Sequence, residues 1–272
     1  MSDRQGKSQK AIRLGTHGED YGSWMSNPVF YMVGGLAVLA VLLAILSFAV
    51  FHISILGILF AIIIAGLLVV LIWITWIRRQ YAFDGGGIME QVHQTILDHL
   101  DYDGRGTLLD VGCGSGALSI RAALTWQETK VVGIDYWAAV YNYSQALCEK
   151  NAASEGAGDR CTFCRGDANK LDFPDGSFDA VVSNYVYHNI TGADKQQLLL
   201  ETLRVLKKGG VFALNDEMKP GMYGDMEAFA QKLRDMGYEE VRLIDTAKEV
   251  FGSHRRAAMM MLGESRMLVG RK

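Results

Sequence analysis

The sequence predicts a doubly wound α/β domain with a mostly parallel, seven-stranded sheet, preceded by a transmembrane hairpin of two α-helices. Three observations lead there. Residues 29–77 form 49 consecutive positions without Asp, Glu, Lys or Arg, and 41 of them are apolar. From residue 78 onward, short apolar runs alternate with helical periodicities to the end of the chain. The first four of those runs are each followed by a glycine-rich or polar turn, the position where doubly wound folds hold their ligands.

The apolar run accounts for an unusual composition. The chain has 272 residues, a net charge of −3 and 50% hydrophobic residues. Without residues 29–77 the hydrophobic share falls to roughly 43%, ordinary for a globular domain. A helix of 49 residues would reach roughly 74 Å, against a hydrocarbon core of about 30 Å, so the run crosses twice. The interruption Phe51-His52-Ile53-Ser54 divides it into helices near 29–50 and 55–77. Arg4, Lys7, Lys10 and Arg13 precede the run and Arg78 and Arg79 follow it, while the turn carries no formal positive charge. The expectation is a two-helix anchor in the cell membrane with both termini and the soluble domain cytoplasmic. Trp24, Tyr31, Trp73, Trp76 and Tyr81 suit an aromatic belt. Ala37, Ala40, Ala44 and Ser47, facing Ser54, Gly57, Ala61 and Ala65, suit close helix packing, although small residues are also common in such helices generally. Residues 1–28, polar and mixed in charge, read as a flexible cytoplasmic segment.

The soluble part, residues 78–272, opens with a joint at Ala82–Gly87 and a helix at 88–100. Strands follow at 107–111, 130–134, 161–164, 180–183, 211–215, 240–245 and 267–270, with helices at 117–126, 138–153, 194–206 and 226–236. This part carries 23 basic against 27 acidic residues, which argues against a general nucleic-acid binder. Four scattered cysteines do not make a disulfide framework. Cys161-x-x-Cys164 lacks a second pair and falls on a strand, so no metal site is expected.

Candidate functional residues lie at strand ends. Asp110-Val111-Gly112-Cys113-Gly114-Ser115-Gly116 leaves the first strand, and alternate glycines let backbone turn sharply beside a ligand. Asp135 ends the second strand, where a carboxylate can accept both hydroxyls of a ribose. Asp167 follows the third and Ser183-Asn184-Tyr185 the fourth. Each alone also reads as a tight connection or a helix cap; together they indicate one binding site. The glycine spacing is not the Gly-x-Gly-x-x-Gly of dinucleotide sites, which puts NAD well behind.

Leu109-Asp110-Val111-Gly112-Cys113-Gly114-Ser115-Gly116, with Val132–Asp135, Gly166-Asp167-Ala168, Phe178–Ser183 and Leu206–Gly210, resembles class I S-adenosylmethionine-dependent methyltransferases, in particular the small-molecule group similar to ubiquinone/menaquinone C-methyltransferases. The resemblance implies a Rossmann-like methyltransferase fold and S-adenosyl-L-methionine as cofactor. It implies that Asp110 holds the amino group of the methionine part and that Gly112, Cys113, Gly114 and Gly116 offer the surrounding backbone. Asp135 would bind the ribose hydroxyls, Tyr136 and Trp137 would lie beside the adenine, and Asp167 and Ala168 would read the adenine. Asn184 and Tyr185 would line the region near the sulfonium. His188, in a place where the family often has histidine, and Tyr187 are the candidate catalytic residues. Two readings stand for His188: a base for an acceptor that must lose a proton, or a residue that caps the following turn.

The absence of an Asn/Asp-Pro-Pro-Tyr/Phe motif sets DNA and RNA aside as acceptors. The membrane segment points to a lipophilic acceptor, such as a prenyl quinone, a lipid or another hydrophobic metabolite, held near the bilayer where it is concentrated. The alternatives are a soluble acceptor with an enzyme merely tethered, and a non-enzymatic sensor or scaffold that binds the cofactor.

Overall fold

A computed structural model describes residues 12–16, 19–22, 27–49, 54–83, 87–138 and 143–272. The polar turn at 51–53, Trp24, Arg4, Lys7, Lys10 and the centre of the joint at 84–86 lie outside the described residues. The chain forms two compact units.

One unit contains α1 (Asn27–Ala49) and α2 (Ser54–Tyr81). Their stretches Phe30–Ala49 and Ile55–Tyr81 are 20 and 27 residues long and apolar enough to cross a membrane. Unlike core helices, they turn their large apolar side chains outward: Leu42 is 59% and Ile62 63% exposed. The helices pack on each other. On α1 the least exposed positions are Val33, Ala37, Ala40 and Ser47, the expected small-residue face. On α2 the expectation holds at Gly57, whose missing side chain makes room for the Phe48 ring, but Ala61 and Ala65 are exposed. The inward positions are instead Phe60, Ile64, Leu67, Leu71 and Ile74. Small residues on one helix are filled by large ones from the other, which serves contact better than two flat faces. The second helix also runs four residues past the expected end, through Arg78 and Arg79.

The other unit begins with α3 (Ile88–His99) and continues β1 (Gly106–Val111), α4 (Ala117–Thr125), β2 (Thr129–Asp135), α5 (Gln145–Ser154), β3 (Cys161–Arg165), β4 (Phe178–Asn184), α6 (Lys195–Arg204), β5 (Leu206–Glu217), α7 (Pro220–Tyr223), α8 (Met226–Asp235), β6 (Glu239–Ile244), α9 (Thr246–Phe251), α10 (His254–Met259) and β7 (Ser265–Arg271). The seven strands lie in the order β3-β2-β1-β4-β5-β7-β6, parallel except for β7, which is antiparallel to both neighbours. Continuous apolar runs in β1, β4 and β5 produce this arrangement, because helices cover both faces of a parallel sheet. Local chemistry sets the helix starts: Ser144, Asp194, Asp225, Asp245 and Ser253 each accept a backbone N–H in the first turn.

Three elements differ from the sequence reading. The helix expected from 138 starts at Gln145, where Ser144 can cap it. The fifth strand reaches from 206 to 217, because Lys207–Gly210 pass along β4 with a register shift between Phe178 and Ala180. Within the segment expected to be flexible, residues 12–16 and 19–21 contribute a strap held to the α/β unit. Leu14 and Tyr21 are buried. Gly15 N and Tyr21 Oη donate to Glu155 Oε1 at 2.8 and 3.1 Å. Arg121, 1% exposed, donates to the carbonyl of Ile12 at 2.9 Å and pairs with Glu90 of α3 at 3.2 Å. Asn151 of α5 joins the strap to the glycine turn, donating to the carbonyls of Asp20 and Ser115 at 2.9 and 3.1 Å. A buried guanidinium and a buried amide need such partners, and the strap supplies one to Arg121 Nη1 and one to Asn151 Nδ2.

Candidate active site

Strand order reverses between β1 and β4, and the expected residues gather at the carboxyl ends of these strands. The turn after β1 is tied to β2 by Gly112 N and Cys113 N, both donating to the Ile134 carbonyl at 2.7 and 2.9 Å. Gly112, Gly114 and Gly116 have φ of 76°, 57° and 85°, a region that favours glycine. At Gly112 the space a side chain would need is occupied by Val186, whose Cγ2 would lie 2.2 Å from an added Cβ. This glycine makes room for a protein neighbour; Gly114 meets only the edge of Tyr143, at 3.6 Å.

Asp110 is 1% exposed and takes a 2.6 Å hydrogen bond from Ser119 Oγ. Burial pushes its carboxyl up to about 7, against the pull of the Ser119 hydroxyl, and the nearby Asp135 adds to the rise. Among the described residues no cation pairs with it. Asp135 braces the turn: Oδ2 accepts Gly114 N at 2.9 Å and Oδ1 accepts Trp137 N at 2.7 Å. The Trp137 indole N–H closes the loop on the Gly114 carbonyl at 2.9 Å. Each Asp135 oxygen keeps a second lone pair for a ligand hydroxyl. Tyr136 is exposed beside it, with the Arg165 guanidinium 4.7 Å from its ring centroid. Asp167 is exposed and holds Asn169 through backbone and side chain at 2.9 and 2.8 Å, with Ala168 half-buried next to it.

Asn184 accepts from Asn215 Nδ2 at 2.9 Å, and Tyr185, at φ 55°, shares a 2.8 Å hydrogen bond with Ser265 of β7. Burial raises the Tyr185 hydroxyl above the ordinary tyrosine range. Tyr187 and His188, adjacent in a single turn of 3-10 helix, part company. Tyr187 is fully buried in the core and bonded to Thr202 Oγ1 at 2.9 Å. A phenol held there, with ionisation opposed by burial, packs the core.

His188 stays half-exposed and is held by a residue the sequence reading did not single out. Asp216, fully buried near the end of β5, accepts His188 Nδ1 at 2.5 Å and the His188 backbone N–H at 3.2 Å. A carboxylate only accepts, so Nδ1 carries the hydrogen and Nε2 is the basic nitrogen. Such a pair can take a proton from a hydroxyl, a thiol or an acidic carbon. A signal was present: Asp216-Glu217 closes a strand as Asp110 and Asp135 do. Glu217 is also buried, receiving Glu264 N at 3.1 Å, and burial raises its carboxyl. Among the described residues, His99 pairs with Glu249 and His254 with Asp245, while burial and Arg121 lower His93 to about 3. A groove of about 600 Å³ lined by Arg105, Asp179, Lys207 and Arg271 lies at the opposite, amino-terminal edge of the sheet. Its Lys207 and Arg271 are paired with Asp179 and Asp101.

Residues 109–214 match a family described as "Methyltransferase domain". The 27-O-demethylrifamycin SV methyltransferase of Amycolatopsis mediterranei is 27% identical over 191 residues, covering 69% of this chain and 67% of that one. The demethylmenaquinone methyltransferase of Symbiobacterium thermophilum is 31% identical over 138 residues, covering 49% of this chain and 51% of that one. Other curated relatives are spanned over as little as a third of their length, as with a fungal sterol 24-C-methyltransferase covered over 32%. Among solved structures, geranyl diphosphate methyltransferase in complex with S-adenosylmethionine superposes with a TM-score of 0.52 at 17% identity, over 66% of this chain and 84% of that one. The seven-stranded sheet is thus the Rossmann-like methyltransferase fold.

Proposed function

We propose that this chain carries a class I S-adenosylmethionine-dependent methyltransferase domain of the small-molecule type, and that a membrane anchor ties it to a lipophilic acceptor. The acceptor would be a prenyl quinone, a lipid or another hydrophobic metabolite. The observation that carries this reading is the pair of apolar helices, long enough to cross a membrane, whose large side chains face outward. The positive charges outside the helices support a topology with both ends and the domain on the cytoplasmic side. The naming of a sterol and of demethylmenaquinone among the relatives agrees with such an acceptor.

The residues fit the cofactor. Asp110 has a buried carboxyl without a cation among the described residues, which suits the ammonium of the methionine part. Asp135 and the backbone of Gly112, Cys113, Gly114 and Gly116 would hold the ribose region, with Tyr136, Trp137, Asp167 and Ala168 around the adenine. Asn184 and Tyr185 would line the region near the sulfonium. When bound, S-adenosylmethionine supplies a methyl group already activated by its sulfonium. The protein's part is alignment, exclusion of water and, for a protonated acceptor, removal of a proton. His188 Nε2 takes that proton, and Asp216 fixes the ring and stabilises its charged form.

The test is to reconstitute the full chain in vesicles made from a membrane lipid extract, add S-adenosylmethionine with a labelled methyl group, and follow label by mass spectrometry. Label in the lipid fraction, with equal S-adenosylhomocysteine, is the expected result. Label only in added water-soluble metabolites would leave the enzyme but remove the lipophilic acceptor. Binding without any S-adenosylhomocysteine, across both acceptor sets, would favour a sensor or scaffold.

A further inference from the structure

The carboxyl end of the sheet carries, beyond the cofactor turn, an exposed surface that the reaction does not use. Glu217 at the end of β5 pairs with Ser265 at the start of β7. Met218 N donates to the Glu264 carbonyl at 2.9 Å. The register therefore sets the segment after β5 beside the segment before β7. Met222, on the first, is 41% exposed; Met259 and Met261, on the second, are 52% and 48% exposed. Met261 sits at φ 64°, a left-handed conformation that side chains rarely adopt. Its turn is closed by Met261 N on the Ala258 carbonyl and Leu262 N on the Ala257 carbonyl, at 2.9 and 2.8 Å. A glycine or asparagine would relieve that backbone; a methionine there keeps an apolar side chain in solvent.

Basic residues flank the methionines. Arg255 and Arg256 are exposed on α10, whose buried residue is Ala257. Among the described residues neither guanidinium has a carboxylate partner, and the exposed Lys219 comes only to 3.8 Å from Glu217.

We propose that Met222, Met259 and Met261, with Lys219, Arg255 and Arg256, form a face that docks on an anionic phospholipid bilayer beside the acceptor site. This rests on the reading of α1 and α2 as a membrane anchor. Methionines are adaptable apolar groups that enter the boundary between headgroups and acyl chains. Arginine makes two-pronged hydrogen bonds to phosphate, and each basic residue at an anionic surface adds to the attraction. With its rim at the headgroups, the site meets a lipophilic acceptor without exposing it to water.

The full chain is tested in nanodiscs of phosphatidylcholine with phosphatidylglycerol, with detergent-solubilised chain as reference. Hydrogen peroxide converts exposed methionines to sulfoxides, read residue by residue by mass spectrometry. Met236, 55% exposed at the end of α8 and on the amino-terminal side of the sheet, is the internal control. The expected result is that Met222, Met259 and Met261 oxidise several-fold more slowly in nanodiscs than in detergent while Met236 is unchanged. In the Arg255→Glu, Arg256→Glu double variant, with folding checked by cofactor binding, the loss of two basic contacts weakens docking by roughly 30-fold or more and removes the protection. Equal oxidation of all four methionines in a chain that resists alkaline extraction overturns the docking face and leaves the anchor standing. A chain that alkaline extraction releases overturns the anchor and the docking face with it. Protection already present in detergent shows that a protein surface, such as a second copy, covers the patch, and overturns the lipid partner.

Discussion

Replacing Gly112 by alanine tests the construction of the glycine turn after β1 most directly. Two costs add. At φ 76° an alanine pays the left-handed penalty, about 1–2 kcal/mol. Its Cβ would also lie 2.2 and 2.5 Å from the two methyl carbons of Val186, more than an ångström inside contact distance, and overpacking of this kind costs about 1–3 kcal/mol. Gly112→Ala should therefore lose about 2–5 kcal/mol of domain stability. Where the turn relaxes instead of unfolding, restoring it on binding at a cost of about 2 kcal/mol weakens the cofactor roughly 30-fold. The assay is thermal unfolding together with calorimetric titration of S-adenosylmethionine, run as a double-mutant cycle with Val186→Ala. That second change removes both methyls but leaves the Val186 Cβ 2.9 Å away, so the double variant should recover about 1–2 kcal/mol, not everything. Unchanged unfolding and affinity in Gly112→Ala, or a cycle with no coupling, would refute the account of why glycine stands there.

Further outcomes follow from the same site. Because burial lifts Asp110 from 3.8 to about 7, the free domain holds a proton there that the unfolded chain releases above about pH 4. The cofactor-free domain should thus lose stability as pH rises between those values, and Asp110→Asn should flatten that dependence in unfolding experiments. Cofactor binding requires the charged carboxylate, so affinity should rise with pH by up to about tenfold per unit below 7 and then level off, with proton release visible by calorimetry in buffers of different ionisation enthalpy. His188→Gln and Asp216→Asn should each lower kcat by about 10²-fold or more while cofactor affinity stays within about twofold; full turnover in both would assign the pair to structure. Tyr187→Phe should cost about 1–2 kcal/mol in unfolding, from the orphaned Thr202 hydroxyl, and leave kcat unchanged.

The strands and the glycine turn were legible because they are local: a buried parallel strand needs an unbroken apolar run, and a sharp turn needs glycine. Asp110, Asp135 and Asp167 could be found because each ends or follows such a run. What escaped depends on contacts distant in sequence. Asp216 and His188 are 28 residues apart and meet only through the pairing of β4 with β5. Tyr187 and His188 are neighbours, and which of them enters the core is decided by the direction of a three-residue turn, which spacing cannot give. Lys207–Gly210 read as a break because glycine weakens strands, yet Lys207 is held by Asp179 at 2.8 Å and the strand continues. The strap depends on partners 109–140 residues away, so a polar composition there said nothing of order.

The bridging amide of Asn151 has a practical consequence for anyone who would study the catalytic half in isolation. Cutting the polypeptide just after the second apolar helix discards residues 12–21 as well, and with them the carbonyl that receives Arg121 and the peptide group that receives Asn151. The amputated enzyme would then carry a stranded guanidinium in its interior and a looser brace behind the nucleoside pocket. Lost turnover in such a fragment would report the missing brace as readily as the missing bilayer. Excising the two helices while splicing the leading residues back through a polar linker keeps the two causes apart.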